Sequence, residues 1–227
     1  MFLKVPVLFA TLFFIFSETC DLKAQSDIDT VEVTRCLQKK YNFKNPVEIL
    51  QHISSDDDEV YVFRIDAKDT KLHKYLKNIY KNRFGKKKTN IFSSQYEKFF
   101  IPEHFLHIFV PVFKYQGNYY LYQPCDFLFS FKLTDSYFAP AYMDGAYAYP
   151  IVAFIKDHVN SINVATGVQR GEYSIDLFDG IGKIYRLKID GKFAGYFTPL
   201  DNLGELGIIA EDCYNQGAIF RNNFEWE

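Results

Sequence analysis

The sequence predicts a mostly β fold of the α+β class: an antiparallel meander forming a barrel or a sandwich, with one or two N-terminal helices packed on it. Two observations support this prediction. From His104 onward, apolar and polar residues alternate with the period of two that is typical of strands. Glycine punctuates these runs, since 11 of the 12 glycines lie from Gly117 onward and the first 84 residues contain none. This spacing predicts about eight to ten short strands.

The composition predicts a single folded domain. The chain has 227 residues, of which 48% are hydrophobic and 24% charged, as in globular proteins rather than disordered or fibrous ones. Because the net charge is only -2, the molecule as a whole is not expected to bind nucleic acid. We divide the chain into a signal peptide, residues 1–24, and one β-rich domain, residues 25–227.

The N-terminal segment has the features of a secretory signal peptide. Lys4 supplies the positive charge, and the apolar residues 5–16 that follow are fewer than the roughly 20 that span a bilayer. A polar stretch then leads to a predicted cleavage site before Gln25. We therefore expect an exported protein, secreted or held in the periplasm or cell envelope. Cys20 offers a second possibility, attachment to the membrane as a lipoprotein, which the neighbouring Glu18 disfavours.

Three cysteines remain after cleavage: Cys36, Cys125 and Cys213. In an oxidising compartment this odd number predicts one disulfide and one free thiol, with all three pairings left open. Their spacings are too wide for a zinc motif.

The N-terminal half combines helix and strand signals. Asn45-Pro46-Val47-Glu48 has the cap, proline and acid of a helix start, and predicts a short helix to about Ile53. Residues 60–66 have the composition of a strand. Asp69 is the predicted cap of a second helix, residues 70–84, which Gly85 ends. At helical periodicity one face of this helix carries Leu72, Tyr75, Leu76, Ile79 and Arg83.

The C-terminal half has the pattern of consecutive hairpins. Gln116-Gly117-Asn118 predicts a three-residue connection, and Asp190-Gly191 predicts a two-residue turn in which both residues have positive φ. In one predicted strand, Phe127, Phe129, Phe131 and Leu133 share a face. The main predicted strands are residues 108–115, 119–123, 127–133, 173–178, 184–189 and 192–198.

No sequence motif indicates a cofactor or a metal. Gly180-Ile181-Gly182-Lys183 contains the glycines and lysine of a phosphate loop, but their spacing is wrong and Ile184 replaces the required Ser/Thr. The run Asp56-Asp57-Asp58-Glu59 is more typical of a solvated turn than of a calcium site. We therefore predict no cofactor and no metal, and we assign no catalytic residue.

Histidines are the best candidates for catalysis, and only Glu103-His104-Phe105-Leu106-His107 clusters them. A helix would place both imidazoles on one face, where they could share a metal with Glu103. A strand would send them to opposite faces, and Pro102 favours a strand. Asp157-His158 could form a base and its orienting acid for a distant nucleophile, but it is more typical of a turn.

Two further clusters have a functional and a structural interpretation. A basic cluster could bind an anionic partner, although a solvated helix face is the usual reason for such a run. A tyrosine cluster could stack on sugars or line a pocket, although tyrosine also fills half-buried strands and the only tryptophan is Trp226. The basic cluster comprises Lys77, Lys81, Arg83, Lys86, Lys87 and Lys88. The tyrosine cluster comprises Tyr137, Tyr142, Tyr147 and Tyr149.

These observations favour a non-catalytic binding or interaction domain of the cell envelope, with a small apolar ligand, a glycan or a protein as partner. The first alternative is a secreted hydrolase whose catalytic residues are dispersed along the chain. The second is a small outer-membrane barrel ending in Phe224-Glu225-Trp226. The charged Arg186 and Lys188 on the outer face of a predicted strand disfavour it.

Overall fold

The computed structural model describes thirteen strands and two α-helices. It covers residues 30–41, 46–54, 59–68, 70–85, 89–91, 97–123, 128–142, 145–167, 171–212 and 223–225. The helices are α1 (Thr30–Tyr41) and α2 (Lys71–Arg83), and Glu103–Phe105 and Leu200–Glu205 form 3₁₀ turns. The strands are β1 (Glu48–Ser54), β2 (Glu59–Ile65), β3 (Thr89–Ile91), β4 (Ile108–Tyr115), β5 (Asn118–Gln123), β6 (Ser130–Leu133), β7 (Tyr137–Tyr142), β8 (Gly145–His158), β9 (Ser161–Thr166), β10 (Glu172–Asp179), β11 (Ile184–Ile189), β12 (Lys192–Pro199) and β13 (Gly207–Asp212).

Several sequence predictions concern residues outside this description. They are the signal peptide with Cys20, Asn45, most of the acidic run (Asp56, Asp57 and Asp58), Asp69, residues 86–88, Cys125, Phe127, Cys213 and Trp226. The backbone of Cys36 lies in α1.

Eight antiparallel strands close into a barrel, which confirms the predicted β fold and decides between barrel and sandwich. The strands β6 to β12 form a meander in which each pairs with the next along the chain. Strand β4 closes the circle because it pairs with β12 on one side and with β6 on the other. Its Phe109 lies opposite both Pro199 and Phe131.

The same sheet extends beyond the barrel from the far half of β4. There β4 pairs with β5, and the sheet continues through β13, β2 and β1, with β13 parallel to β5. Helix α2 packs on one face of this sheet, where Leu72 and Leu76 join the core around Phe63 and Ile208. Burial of such apolar surface is the main stabilising contribution to the fold.

The barrel interior is filled with apolar and aromatic side chains. Phe131 lies at its centre, with ring centroids 4.8 Å from Phe109, 5.1 Å from Phe138 and 5.0 Å from Phe197. Period-two alternation places these residues inward and their neighbours outward. The buried residues of this cluster are Ile101, Phe105, Phe109, Phe131, Leu133, Phe138, Ile151, Ile162, Val164, Tyr173, Ile175, Tyr185, Leu187 and Phe197.

The 3₁₀ turn Glu103–Phe105 closes one end of the barrel. Phe105 is fully buried in the interior cluster, and the hydroxyl of Tyr185, near the start of β11, donates to the His104 carbonyl oxygen at 2.9 Å. The amide of Leu133, at the end of β6, donates to the His107 carbonyl oxygen at 3.0 Å. The closed end is therefore where β6 ends and β11 begins.

The outward face of β9 to β11 is polar. Because Ile162, Ile175 and Leu187 point into the barrel, their neighbours point outward. On that face Asp176 accepts hydrogen bonds from Ser161 and Arg186. Ser174 likewise donates to Asn163.

Within the described residues, no helix is both long and apolar enough to cross a membrane.

The helix predicted from Asn45 to Ile53 is wrong, because Glu48–Ser54 is strand β1. Ile49 lies opposite Phe63 and Ile53 opposite Val60 in an antiparallel pair with β2. A helix of about two turns is marginal in water, so pairing of β-branched residues with a neighbouring strand outweighs a local helix-start signal. The N-terminal helix of the fold is instead α1, which the sequence analysis did not predict.

The second predicted helix is confirmed as α2, with a different cap and a different buried face. Thr70 is the cap, and its hydroxyl accepts from the His73 amide. The His73 ring is buried; its Nδ1 accepts from the Thr70 amide at 3.1 Å, and its Nε2 donates to the Leu206 carbonyl oxygen at 2.7 Å. With His73 held in this way, the buried face of α2 includes His73 and Tyr80, and Tyr75 is 58% exposed instead of buried.

Both predicted hairpin turns are confirmed in position, and the predicted number of turn residues is confirmed for one of them. Asp190 and Gly191 have φ of 51° and 77°, as the two-residue turn requires. Gln116 and Gly117 have nearly the same values, and Asn118 already belongs to β5. That connection therefore has two residues rather than the predicted three.

Candidate functional site

A cleft of about 230 Å³ lies at the end of the barrel opposite Phe105. It forms where β6 and β10 begin and where β7 and β11 end. We call it the mouth cleft. Seven of the described residues line it: Phe129, Pro140, Tyr142, Gly171, Tyr173, Ile189 and Asp190.

Aromatic rings form the rim and the floor of the mouth cleft. Tyr142 is 41% exposed and lies on the rim, with ring centroids 6.4 Å from Phe129 and 6.2 Å from Tyr147. Tyr173 is buried, and its ring stacks on Phe138 at 4.0 Å. The cleft thus exposes both ring carbons and polar atoms, and it is continuous with the packed interior below.

Among the described residues that line the mouth cleft, the one charged side chain is negative. Burial is the largest of the causes that together raise the pKa of Tyr173 to about 12. The nearby Tyr142, Tyr149 and Asp190 also raise this pKa, and a hydrogen bond with Thr166 opposes them. Tyr173 is therefore a neutral phenol at physiological pH. None of the seven lining residues is basic, and Asp190 is the one among them that carries a charge.

The hairpin between β11 and β12 fixes the position of Asp190. Its carboxylate accepts a hydrogen bond from the Glu172 amide at 2.9 Å, and its own amide donates to the Glu172 carbonyl oxygen at 2.8 Å. Because the turn and β10 both hold this residue, its carboxylate is fixed beside the start of β10, next to the cleft that Asp190 lines.

Phe129 separates the mouth cleft from a smaller slot. The slot holds about 60 Å³ between β4 and β12, and Phe129 lines both spaces. The Phe129 ring lies edge-on to Phe197, with centroids 5.9 Å apart. The size of the mouth cleft therefore depends on where this one side chain sits.

Gly171 makes room for the Tyr173 ring. A Cβ at Gly171 would lie 2.9 Å from the Tyr173 hydroxyl oxygen and 3.0 Å from Cζ, closer than side chains approach one another. Replacing this glycine with a larger residue must therefore displace the ring that forms the cleft floor.

We expect Gly171→Ala to lower the free energy of unfolding by about 1–3 kcal/mol, since the stacked Tyr173 ring has to move. Gly180→Ala is the matched control, because a Cβ there has nothing within 4 Å. The control should be neutral or stabilising by up to about 1 kcal/mol through a less flexible unfolded chain. Urea denaturation of both variants measures the difference, and equal stabilities would contradict the packing described here.

The predicted tyrosine cluster is only partly brought together. Tyr142 lines the mouth cleft and Tyr147 lies beside it, whereas Tyr149 is buried. Tyr137 lies at the other end of β7, under the ammonium group of Lys132 at 5.7 Å.

Three residues that define the site, Phe129, Tyr173 and Asp190, carry no sequence signal for a binding site. Each was placed in a strand or turn, but no local signal joins them. Their proximity depends on the closure of the barrel.

The histidine cluster does not form a metal site in the part of the chain described. No three His, Cys, Asp or Glu side chains there are grouped to hold a metal. His104 lies in the 3₁₀ turn and His107 directly before β4. Burial lowers the pKa of His107, Asp201 opposes this shift, and His104 adds to it.

The turn predicted at Asp157-His158 is wrong, because both residues belong to strand β8 and the turn follows at Val159 and Asn160. The Asp157 carboxylate accepts a hydrogen bond from the Asn163 side chain. This carboxylate therefore belongs to the hydrogen bonds between polar side chains on the outward face of the barrel, in which Asn163 also accepts from Ser174.

The described part of the basic cluster is largely used within the fold. Lys77 pairs with Asp201 at 2.9 Å. The Arg83 guanidinium lies 4.7 Å from the Tyr80 ring centroid and donates to the Leu128 carbonyl oxygen at 3.2 Å. These contacts favour the structural interpretation for Lys77 and Arg83.

Comparison with known proteins found no matching family model, no matching curated protein and no matching solved structure. Function is therefore inferred from the residues of the mouth cleft and from the barrel that positions them.

Proposed function

We propose that this protein is an exported, non-catalytic binding domain of the cell envelope, and that it holds a small ligand in the mouth cleft. One observation carries the proposal. The barrel is packed with side chains through its interior and closed by Phe105 at one end, whereas the other end has an aromatic cleft of about 230 Å³. Concave apolar sites with a few fixed polar groups are typical of ligand binding.

The size of the mouth cleft limits the ligand. Drug-sized ligands occupy pockets of about 300–1,000 Å³, and one water molecule takes about 30 Å³ of liquid. The cleft volume of about 230 Å³ thus equals seven or eight waters. A single ring or a compact branched group fits this volume, and a long acyl chain does not.

The two alternative functions draw less support from the structure. A hydrolase needs a nucleophile beside its base. His104 and His107 lie near the closed end, away from the mouth cleft, and His158 lies beside the β8–β9 turn. An outer-membrane barrel presents an apolar band outward, whereas Asp176 and Arg186 lie on the outward face of β10 and β11.

Native mass spectrometry tests the proposal on protein purified, without denaturant, from the cell fraction to which it is exported. We expect a mass above that of the mature chain, lost on denaturation. Tyr142→Ala should lose this added mass because it removes the rim of the cleft. Tyr75→Ala is the matched control, since Tyr75 is equally a solvent-facing tyrosine but lies on α2, and it should keep the added mass.

Two results would contradict the proposal. A bare chain mass for the unaltered protein would exclude a tightly held ligand. An added mass that persists in Tyr142→Ala would locate the ligand somewhere other than the mouth cleft.

A further inference from the structure

We infer that the ligand of the mouth cleft is a small organic cation, a methylated ammonium group being the best fit. This inference rests on the proposed function and names the chemistry of the same site. It joins two features of the cleft, the charge of its lining and the number of its aromatic rings.

The charge of the lining favours a cation. Asp190 is the sole charged residue among the seven, and a hydrogen bond from the Glu172 amide holds its carboxylate in place. The phenols of Tyr142 and Tyr173 add oxygen atoms and no positive charge. Asp190 is an exposed residue at the edge of the cleft, and its negative charge would repel an anionic ligand.

The rings of the lining favour the same ligand. Phe129, Tyr142 and Tyr173 come from three different strand ends and surround one small space. The face of an aromatic ring attracts a cation within about 6 Å of its centroid, and such aromatic cages recognise quaternary ammonium ions. A methylated ammonium ion also offers an apolar surface, so it loses less hydration than a bare ammonium ion on entering the cleft.

A neutral sugar ring is the principal competitor for this space. It too could stack on Tyr142 and donate a hydroxyl to Asp190. The two ligand classes differ in one respect, because only the cation gains from the negative charge of the lining. A pair of probes that differ in charge alone therefore separates them.

The test titrates the protein with choline chloride and with 3,3-dimethylbutan-1-ol, the uncharged carbon analogue of choline, by isothermal calorimetry. We expect choline to bind at least about tenfold more tightly, the scale of a partly desolvated cation–π and charge interaction. Raising the salt concentration should weaken choline binding and leave the alcohol unaffected.

Asp190→Asn isolates the contribution of charge. Asparagine tolerates the left-handed φ of 51° at this position, and its amide oxygen still accepts from the Glu172 amide, so the hairpin is retained. We expect this variant to bind choline several-fold more weakly and to bind the alcohol as before. Tyr75→Ala, on α2, should change neither affinity.

The outcomes separate this inference from the proposed function. Equal affinities for choline and the alcohol would overturn the cation and leave the binding function standing. Binding of neither probe would do the same, provided that the protein was purified with a mass lost from Tyr142→Ala and that this mass was removed by dialysis before the titration. Binding of neither probe, together with a bare chain mass, would overturn both.

Discussion

Replacing Phe131 with alanine is expected to lower the free energy of unfolding by about 3–5 kcal/mol, the cost of deleting a buried phenylalanine ring. Phe131 is fully buried and lies within 5.1 Å, centroid to centroid, of Phe109, Phe138 and Phe197. These three rings belong to β4, β7 and β12, so Phe131 joins the strands that close the barrel. Guanidinium denaturation measures the loss.

Phe100→Ala is the control for this prediction. The same side chain is removed, but Phe100 is 96% exposed, and such surface changes fall within about 0.5 kcal/mol. Because 1 kcal/mol corresponds to about 2–4 °C in Tm for a chain of this size, the two variants should differ by roughly 10 °C. Similar losses for both variants would mean that the aromatic interior is not the core of the fold.

Tyr122→Phe is expected to cost about 1–3 kcal/mol of unfolding free energy, because it takes a hydrogen-bond donor from a buried carboxyl group. Glu211 is 4% exposed, and the Tyr122 hydroxyl donates to its carboxyl oxygen between β5 and β13. Tyr75→Phe removes a hydroxyl from an exposed ring and should leave stability unchanged.

A double-mutant cycle decides whether the pair itself is responsible. Tyr122→Phe and Glu211→Gln should be non-additive, with a coupling of about 0.5–3 kcal/mol, as expected for residues in direct contact. Strict additivity would show that the hydroxyl and the carboxyl group act independently.

Strands and turns could be predicted from the sequence because their signals are local. Asp190-Gly191 requires positive φ at both positions, and the alternation at Phe129, Phe131 and Leu133 places all three on the inner face. Closure of the barrel could not be predicted in this way. It depends on Phe109 lying opposite both Phe131 and Pro199, which are distant in the chain.

The same distinction explains what was missed at the N-terminus and in the site. The helix-start signal at Asn45 and Pro46 is local, whereas the strand Glu48–Ser54 is stabilised by pairing with Glu59–Ile65. Of the cleft residues, Tyr142 belonged to a predicted cluster. Phe129, Tyr173 and Asp190 come from other strand ends, and only the three-dimensional fold brings them next to Tyr142 in the mouth cleft.

Nuclear magnetic resonance of protein with ¹³C-labelled tyrosine rings tests most directly whether the mouth cleft is the ligand site. During titration with choline, we expect the Tyr142 ring signal, identified by its loss in Tyr142→Phe, to shift in a saturable manner. The Tyr75 signal, identified in the same way, should stay in place because that ring lies on α2. Saturable shifts confined to tyrosines outside the mouth cleft, or no shift at a saturating choline concentration, would contradict an organic-cation site at this end of the barrel.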